Sequence, residues 1–345
     1  MPPLIALDGS LGEGGGQVLR TALTLSAATG QGFRIERIRA GRLQPGLRPQ
    51  HLAAVRAATL ASGAQVGGAF EGSPDLRFVP SGTSPGEFRF EIGTGGAATL
   101  VLQTVLPLLA RAARSSRVEV TGGTHVPASP SFHFLARHWA PMAARAGLPS
   151  TSTLVRAGFY PRGGGEVHAE VQPWGAAGPL VLESRGALVG LRGISGAGRL
   201  KGDVARRQRD AAQERLWEMR RLETEWEVVE VPAASPGSFL LLEALFENGR
   251  LALGILGERR VRAELVGDRA ARRLMGLLDS EGAVDPHLAD QLAVPLALSG
   301  QGGRLTTREV TSHLETVAAV LRAFGVGARA WGRRGGPGGL EVDRC

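Results

Sequence analysis

The segment GEGGGQVLRTALTLSAATG, residues 12–30, runs from a glycine-rich turn directly into an apolar stretch of helical length. The next segment, FRIERIRA at 33–40, alternates apolar and charged side chains, which is the period of a strand. A second helical pattern, RPQHLAAVRAATLASGA, follows at 48–64. Helices that alternate with short strands between glycines indicate an α/β fold.

The same plan recurs twice farther along the chain. Residues 93–147 contain GTGGAATLVLQTVLPLLARAA, SRVEVTGG and SPSFHFLARHWAPMAARAG, and residues 285–325 contain DPHLADQLAVPLALSG, RLTTREV and TSHLETVAAVLRAFG. Each copy is predicted to form a βαβαββ module. The repeat aligns His51, His133 and His313 at the starts of the second helices. We expect three modules to build one large domain from residues 1–181 and 282–345.

Residues 182–281 interrupt the repeat, and we predict that they form a small inserted α/β domain. This segment contains a charged amphipathic stretch, DVARRQRDAAQERLWEMRRL, and a final helical pattern, RAELVGDRAARRLMGLL. Between them lie two strand-like runs, EWEVVEV and SFLLLEALF. No glycine-rich turn of the repeat type occurs here.

The charge composition favours a polyanionic partner. The net charge is +8, and of the 40 basic residues only Lys201 is a lysine. Guanidinium groups suit phosphate oxygens, so nucleic acid is suggested. A phosphate-binding Gly-Lys-Ser/Thr loop is excluded because a glycine follows Lys201. An enzyme that forms a lysyl-nucleotide intermediate would have to use Lys201, which lies in a Gly- and Arg-rich connector.

No apolar run approaches the ~20 residues of a membrane span, so no membrane association is predicted. The first residues, MPPLIALDGSLGEGG, lack the basic and apolar regions of a secretory signal. With Cys345 as the sole cysteine, disulfides and cysteine-rich metal sites are excluded, and a cytoplasmic protein is expected. The sequence does not predict an oligomeric state.

Several polar segments could carry chemistry or could be ordinary turns and caps. GEGGGQ offers backbone amides at a helix start, and Glu13 beside it could bind a metal that holds nucleotide phosphates. Arg39, Arg42, Arg48 and His51 lie in one loop, which is either a phosphate cradle or a solvated basic loop. His125 and His133 are polar loop residues or ligands. Asp290 and Gln291 either form caps and interhelix bonds or recognise a base or ribose.

His313 begins the helix TSHLETVAAVLRAFG. Ser312 and Glu315 have the spacing of a capping box, which predicts Ser312 as the N-cap and His313 as the first helical residue. Leu314, Val317, Ala318 and Leu321 would bury one face, and Gly325 would end the helix. The positive end of a helix disfavours imidazolium and attracts phosphate. His313 is therefore a solvated or structural ring, or a nucleophile.

Seven motifs in order resemble the RNA 3'-terminal phosphate cyclase family over nearly the whole chain. They are LDGSLGEGGGQVLRTALTLS, IRAGRLQPGLRPQHLAAVRAA, GTGGAATLVLQTVLPLL, GGTHVPASPSFHF, GFYPRGGGEV, HLADQLAVPLALSG and TSHLETVAAVLRAF. The resemblance is weakest in residues 182–281. It implies three βαβαββ modules with a small inserted domain.

The resemblance also implies an activity, in which an RNA 3'-phosphate becomes a 2',3'-cyclic phosphate with ATP and a divalent metal, Mg or Mn. His313 matches the histidine that carries AMP, and Glu13 would assist the metal. The positions matched to ATP contacts are Gln17, Gln103, Pro130, His287, Leu288, Ala289, Asp290 and Gln291. The RNA contacts would be Arg20, Arg39, Arg42, Arg48 and His51. His287 departs from the family, where tyrosine is common.

Two other classes remain as alternatives. A non-catalytic cyclase-like protein of ribosomal RNA processing would lack the nucleophilic histidine, so His313 argues against it. An enolpyruvyl transferase is built from similar modules, but it would need two comparable halves and several substrate-facing lysines. A chain with one lysine does not fit that class.

Overall fold

The protein was analysed as a computed structural model, which describes residues 3–93 and 95–345. Its secondary structure is a mixture of helices and small mixed sheets, so the predicted α/β class is confirmed. Within the described residues, no helix is both long enough and apolar enough to cross a bilayer.

The first sheet is built from the amino-terminal residues in the order β1-β2-β4-β3. β1 and β2 are parallel, whereas β4 is antiparallel to both β2 and β3. The elements are β1 (Ile5–Asp8), α1 (Gln17–Thr29), β2 (Phe33–Glu36), α2 (Pro49–Ser62), β3 (Gln65–Gly67) and β4 (Leu76–Val79). The chain order is therefore βαβαββ.

The second sheet repeats this arrangement in the order β5-β6-β8-β7, again with only the first two strands parallel. Its elements are β5 (Glu87–Glu91), α3 (Ala98–Leu109), β6 (Ser116–Gly122), α4 (Phe132–Phe134), a π-helical turn (Leu135–Trp139), α5 (Ala140–Arg145), β7 (Ser150–Arg156) and β8 (Gly165–Val171). The second helix of this module is thus continuous from Phe132 to Arg145 and contains a π-helical turn.

A short strand, β9 (Leu180–Leu182), precedes a separate four-stranded sheet with the order β11-β10-β12-β13. Two helices pack on one face of that sheet. The elements are β10 (Leu188–Gly198), α6 (Val204–Arg220), β11 (Glu225–Glu230), β12 (Gly237–Phe246), β13 (Arg250–Leu256) and α7 (Ala263–Leu278). The two predicted helices and both predicted strands of residues 182–281 correspond to α6, α7, β11 and β12.

The remaining residues complete a third sheet of the repeated type. Its elements are α8 (Pro286–Gln291), α9 (Ala293–Ser299), β14 (Gly303–Thr307), α10 (Ser312–Ala323), β15 (Ala328–Gly332) and β16 (Gly338–Val342). β9 pairs in parallel with β14, from Leu180 opposite Gly303 to Leu182 opposite Leu305. The insertion therefore lies inside the third module, after its first strand, and not between two modules.

Proline accounts for an irregularity in each of two predicted helices. Pro295 has no N–H to donate to the carbonyl of Gln291, so the helix restarts as α9 after Leu292. The indole N–H of Trp139 donates to that carbonyl instead, at 3.2 Å. Likewise, Pro141 leaves the carbonyl of Arg137 free, and this carbonyl accepts from the guanidinium of Arg250 at 2.9 Å. The first of these bonds joins the end of α8 to the π-helical turn. The second joins that turn to β13 of the insert.

One apolar core joins the three modules, and a second lies within the insert. The first includes Leu19 and Leu23 of α1, and the helices α1, α2, α3, α9 and α10 contact one another around it. β12 is buried on both faces, because Leu242 packs under α6 and α7 while Phe239 packs against the main core. Burial of an aromatic or leucine side chain stabilises by about 1.5–3 kcal/mol, so the insert is docked by apolar contact.

Candidate functional site

A cavity of about 460 Å³ lies where the large domain meets the insert. α1, α3, α8 and the amino-terminal end of α10 form one side, and β13 with part of α7 forms the other. Eight of the residues singled out in the sequence line it: Gln17, Arg20, Gln103, Pro130, His287, Asp290, Gln291 and His313. Residues that are far apart in sequence therefore meet at one place.

The start of α10 differs from the predicted capping box. Thr311 is the N-cap, and its hydroxyl accepts from the Leu314 N–H at 3.1 Å. The Ser312 hydroxyl is left free to donate to Glu13 Oε1 at 2.8 Å. Glu315 instead pairs with Arg334. His313 is consequently the second helical residue, on a helix whose predicted apolar face is buried.

A chain of two hydrogen bonds holds the His313 ring. The Gln17 amide donates from Nε2 to Asp290 Oδ2 at 2.9 Å, so its oxygen faces the ring. His313 Nδ1 lies 2.6 Å from that oxygen and must carry the proton of the bond. Nε2 then retains its lone pair. The resemblance implied that Gln17 and Asp290 contact ATP, and interhelix bonding by Asp290 was the open alternative. Their orientation of the His313 ring was not predicted.

His313 is neutral in this environment. Burial lowers its pKa below the ordinary value of 6.5, and Arg20 adds to that effect, although Glu13 opposes it. The side chain is still 44 % exposed, with Nε2 lying 3.5 Å from Glu13 Oε2. A neutral, partly accessible imidazole nitrogen is the form that can act as a nucleophile.

Asp290 and Arg20 are two ionisable groups that are buried beneath the cavity. Burial raises the pKa of Asp290 from 3.8 to about 7, against the hydrogen bond from Gln17 that lowers it. Burial lowers the pKa of Arg20 to about 10, while Asp290 opposes that shift. Arg20 therefore stays cationic at neutral pH, at a point where a phosphate could reach it.

Glu13 is the residue that best fits a metal. Hydrogen bonding from Ser312 lowers its pKa, and Arg42 acts in the same direction, so the carboxylate is ionised. Within residues 3–93 and 95–345, no group of three His, Cys, Asp or Glu side chains could hold an ion. A lone carboxylate suits Mg²⁺, which is often held by one or two carboxylates together with substrate phosphates and water.

Two amides meet on the same side of the cavity, where α3 faces α8. The Gln103 amide donates to Gln291 Oε1 at 2.6 Å. The two polar residues at the end of α8 therefore have different partners, since Asp290 accepts from Gln17. Pro130, which lines the cavity, accepts from the Thr99 hydroxyl through its carbonyl at 2.7 Å. Leu288 and Ala289, both matched to ligand contacts, are fully buried and outside the cavity lining.

Asp285 connects the site to the insert and was missed by the sequence analysis. Oδ1 caps α8 by accepting from the N–H groups of His287 and Leu288. Oδ2 accepts from the Ala252 N–H of β13 at 3.2 Å and lies 2.6 Å from His138 Nε2. An aspartate followed by proline at a helix start is a signal for a cap, although nothing in it predicts the bond to β13.

The arginine loop lies beside the cavity and does not line it. Arg42 reaches Glu13 Oε2 at 3.4 Å, and Arg48 pairs with Glu71 at 3.1 Å. Arg39 donates to the carbonyl of Gln44 at 2.7 Å, which holds the loop together. Arg42 is thus the member of this loop that is connected to the His313 region.

His51 is almost fully buried beneath the glycine-rich turn. Its Nδ1 accepts from the Arg48 N–H at 3.1 Å, and this bond caps the start of α2. Burial lowers its pKa to about 3, with Arg20 as the next largest cause. A Cβ on Gly16 would come within 2.6 Å of both His51 Nε2 and Arg20 Nη1, so glycine is needed for this close approach.

Gly16→Ala is expected to lower the free energy of unfolding by about 1–3 kcal/mol, because the His51 ring cannot move away from the added methyl group. Gly41→Ala is the matched control, because nothing lies within 4 Å of a Cβ at that position. Urea denaturation of both variants measures the difference. Equal stability of the two proteins would contradict the packing described here.

His125 and His133 have a structural arrangement. His125 Nε2 lies 3.0 Å from His133 Nδ1, and both rings stack on Phe239 of the insert, at centroid distances of 4.4 and 4.2 Å. Burial lowers both pKa values. Of the three aligned histidines, only His313 lines the cavity.

Many residues that line the cavity were not predicted, including all of those from the insert. Other lining residues that the sequence did not single out include Thr21, Thr104, Ser129, Phe134, Trp139, Arg273 and the β13 residues 252–256. Apolar runs such as β13 look alike whether they face a core or a ligand. Their role here follows only from tertiary structure.

Comparison with known proteins gives a consistent result. The family model for RNA 3'-terminal phosphate cyclase matches residues 11–328. Proteins named RNA 3'-terminal phosphate cyclase from Ralstonia nicotianae and Pseudomonas fluorescens are 48 % and 45 % identical, each covering 93 % of this chain and 92 % of the relative. One of the same name from Salmonella enteritidis is 43 % identical, with 94 % of each chain covered. The chain therefore belongs to the RNA 3'-terminal phosphate cyclase family.

Proposed function

We propose that this protein converts an RNA 3'-phosphate to a 2',3'-cyclic phosphate at the expense of ATP, through a covalent His313–AMP intermediate. The observation that carries the proposal is the chain from Asp290 through Gln17 to His313, which fixes the proton on Nδ1 and leaves Nε2 free. Family membership supplies the RNA end as the substrate class.

The first step is attack of His313 Nε2 on the α-phosphorus of ATP. A P–N bond forms, the bond to the β-phosphate oxygen breaks, and pyrophosphate leaves. The proton stays on Nδ1, where Gln17 supports the positive charge that develops on the ring. A divalent metal held by Glu13 would neutralise phosphate charge in this step.

The second step transfers AMP from His313 to the RNA, and the third step closes the cyclic phosphate. An oxygen of the RNA 3'-phosphate attacks the AMP phosphorus, the P–N bond breaks, and His313 is regenerated. The neighbouring 2'-hydroxyl then attacks the activated 3'-phosphorus, loses its proton to water and expels AMP. This closure is intramolecular, which gives it an entropic advantage. Arg20 and Arg42 would hold the phosphates, with Arg39 and Arg48 farther out.

The adenine is proposed to lie between Pro130 and His287, both of which line the cavity. An imidazole ring offers a smaller face than the tyrosine common at this position, but it can stack in the same way. Gln103 and Gln291 would contact the nucleoside through amides that already face the cavity.

The experiment supplies purified protein with α-labelled ATP and an RNA that ends in a 3'-phosphate. Acid-labile label on the protein and a cyclic-phosphate product are expected, whereas an RNA with a 2'-deoxy terminal sugar should accept AMP and not cyclise. Absence of cyclic product from every ribose-terminated 3'-phosphate, despite labelled protein, would overturn the cyclase assignment.

A further inference from the structure

We propose that the RNA chain behind the reacting 3' end lies on a basic surface of the insert, where arginine and lysine side chains hold its phosphodiester groups and Tyr160 stacks on a base. This surface, the basic end, consists of the turns 199–203 and 257–262. The inference rests on the proposed function, since it concerns the RNA whose terminal phosphate reacts at His313. It gives the outside of the insert a part in substrate binding.

The two turns leave the sheet of the insert at the same end. β10 and β13 are both antiparallel to β12, with Gly198 opposite Gly237 and Leu256 opposite Phe239. The carboxyl ends of β10 and β13 therefore both lie beside the start of β12. α6 and α7 begin directly after the two turns, so their amino-terminal ends lie there too.

Arg207, near the start of α6, connects the two turns. Its Nε donates to Glu264 Oε1 in the first turn of α7 at 2.8 Å. Its Nη1 lies 3.5 Å from the carbonyl oxygen of Gly202 in the turn that follows β10. The turns are thus parts of one continuous surface, and Arg207 is engaged within the protein.

Basic side chains outnumber carboxylates in these turns. The residues are Arg199, Lys201, Arg259, Arg260 and Arg262 against Asp203 and Glu258. All five basic residues are exposed. Arg199 donates to a backbone carbonyl, and Arg262 lies 3.5 Å from Glu264. In the part of the chain that the structure describes, the side chains of the other three have no hydrogen bond or ion pair, so they are free to bind phosphate.

The opposite end of the insert has the reverse charge. Its turns 221–224, 247–249 and 279–281 carry one basic residue against four acidic ones: Arg221 against Glu223, Glu247, Asp279 and Glu281. The positive charge is therefore concentrated at one end and is not a general result of an arginine-rich composition. The amino-terminal ends of α6 and α7 add positive potential on the same side.

The basic end begins where the cavity ends. Leu256 is the last residue of β13 and lines the cavity, and the turn 257–262 follows it directly. An RNA whose terminal phosphate lies beside His313 would leave the cavity along this strand and meet Arg259 and Arg260. Basic grooves for single strands cover about 4–16 nucleotides, so several phosphates would be in reach.

A neighbouring loop of the large domain adds an aromatic ring. The carbonyl of Ala234 accepts from Arg199 at 3.1 Å, and a Cβ on Gly164 would lie 3.2 Å from the Ala234 side chain. In the same loop as Gly164, Tyr160 is 66 % exposed and Arg162 is also exposed. Single-stranded RNA is held by bases stacked on aromatic rings between phosphate contacts. An exposed ring among arginines therefore favours RNA over an acidic protein as the partner.

The first experiment measures the affinity for a 3'-phosphorylated RNA of about 20 nucleotides by fluorescence anisotropy, without ATP and over a range of salt concentrations. Lys201→Gln/Arg259→Gln is expected to bind about tenfold more weakly at low salt. The slope of log affinity against log salt should become shallower by about 1.4, because each phosphate contact to a single strand contributes about 0.7.

Arg114→Gln/Arg344→Gln is the matched control. It removes the same charge from two exposed arginines of the large domain that have no bonded partner among the described residues. Its affinity and salt slope should stay close to those of the unaltered protein. Unchanged affinity in Lys201→Gln/Arg259→Gln, or an equal loss in both double variants, would overturn the proposal.

Substrate length separates the basic end from the reacting site. A dinucleotide that ends in a 3'-phosphate is too short to reach the basic end, so its kcat/KM should be the same in Lys201→Gln/Arg259→Gln and in the unaltered protein. For the longer RNA, kcat/KM should fall about tenfold through KM, while labelling by ATP is unchanged. The same loss for both lengths would contradict a role outside the cavity.

Tyr160 is tested with two variants. Tyr160→Ala should lose about tenfold in affinity for the longer RNA, whereas Tyr160→Phe keeps the ring and should bind normally. Full affinity in Tyr160→Ala would contradict the base contact. Poly-glutamate serves as the probe for an acidic protein. If its binding depends on Lys201 and Arg259 while RNA binding does not, the surface belongs to a protein partner and the proposal is wrong.

The two proposals fail in different ways. RNA affinity that depends on Lys201 and Arg259, without any cyclic product, would leave the basic end intact and contradict the cyclase mechanism. Cyclic product with equal RNA affinity in Lys201→Gln/Arg259→Gln would leave the mechanism intact and contradict the basic end.

Discussion

The His313→Asn protein is expected to carry no labelled AMP after incubation with α-labelled ATP, a loss of at least roughly 10³-fold relative to the unaltered protein. Asparagine can still hydrogen-bond to Gln17, but its amide nitrogen has no available lone pair. His313→Ala should fail as completely. The side chain is 44 % exposed and lies at a helix start, so both variants should fold.

His168→Ala is the matched control for this loss. His168 is also a half-exposed histidine bonded to a carboxylate, Glu166 at 2.9 Å, but it lies on β8 outside the cavity lining. This variant should label normally. Label on His313→Asn, or label that peptide sequencing assigns to Lys201, would contradict the role of His313.

The sequence could predict His313 as a candidate but could not choose it. The repeat places three histidines at matching helix starts, and sequence spacing cannot reveal that His51 and His133 are buried while His313 borders a cavity. The cap was misassigned by one residue because Thr311 and Ser312 are both common capping residues, and serine is the more preferred of the two. Because Ser312 was assigned as the cap, its hydrogen bond to Glu13 was not predicted.

Helix and strand positions were largely readable because apolar periodicity sets them. The break between α8 and α9 was not predicted, although Pro295 was visible, because proline is tolerated in the first turn of a helix. Strands as short as β3 and β9 carry too few residues for a period to show. The contact between β13 and Asp285 depends on docking of the insert and has no local signal.

The second large effect is expected from Asp290→Asn, which should raise the free energy of unfolding at pH 8 by on the order of 2–4 kcal/mol. Burial raises the pKa of Asp290 from 3.8 to about 7. The native carboxyl thus holds its proton through a pH range in which the unfolded one is ionised. Stability is lost as pH rises from about 4 to about 7, and a neutral amide avoids that loss.

At pH 4 the variant and the unaltered protein should be nearly equally stable, because the carboxyl is then protonated in the native state and resembles the amide. Urea denaturation at the two pH values measures the difference. Asp210→Asn is the control: its carboxylate is exposed and pairs with Arg209, so its effect should be small at both values. A gain in stability that is independent of pH would contradict this account.

The same Asp290 substitution should slow labelling by ATP, since an asparagine can turn its amide nitrogen toward Gln17 and release the His313 ring. Stability would then rise while activity falls. A gain in stability together with a loss of activity is expected where a buried ionisable group orients a functional side chain at the expense of stability.

The position of the insert affects the order in which the chain can fold. β9 leaves the ribosome roughly 120 residues before its partner β14, and joining the two across an unfolded loop carries an entropic cost. Arg185, near the start of the insert, donates to the carbonyl of Leu278 near its end, at 2.8 Å. A folded insert therefore brings its own two ends together. If the insert folds first, β9 and β14 are joined by a short effective loop, so their pairing costs less entropy. The cavity then forms once the third sheet is complete.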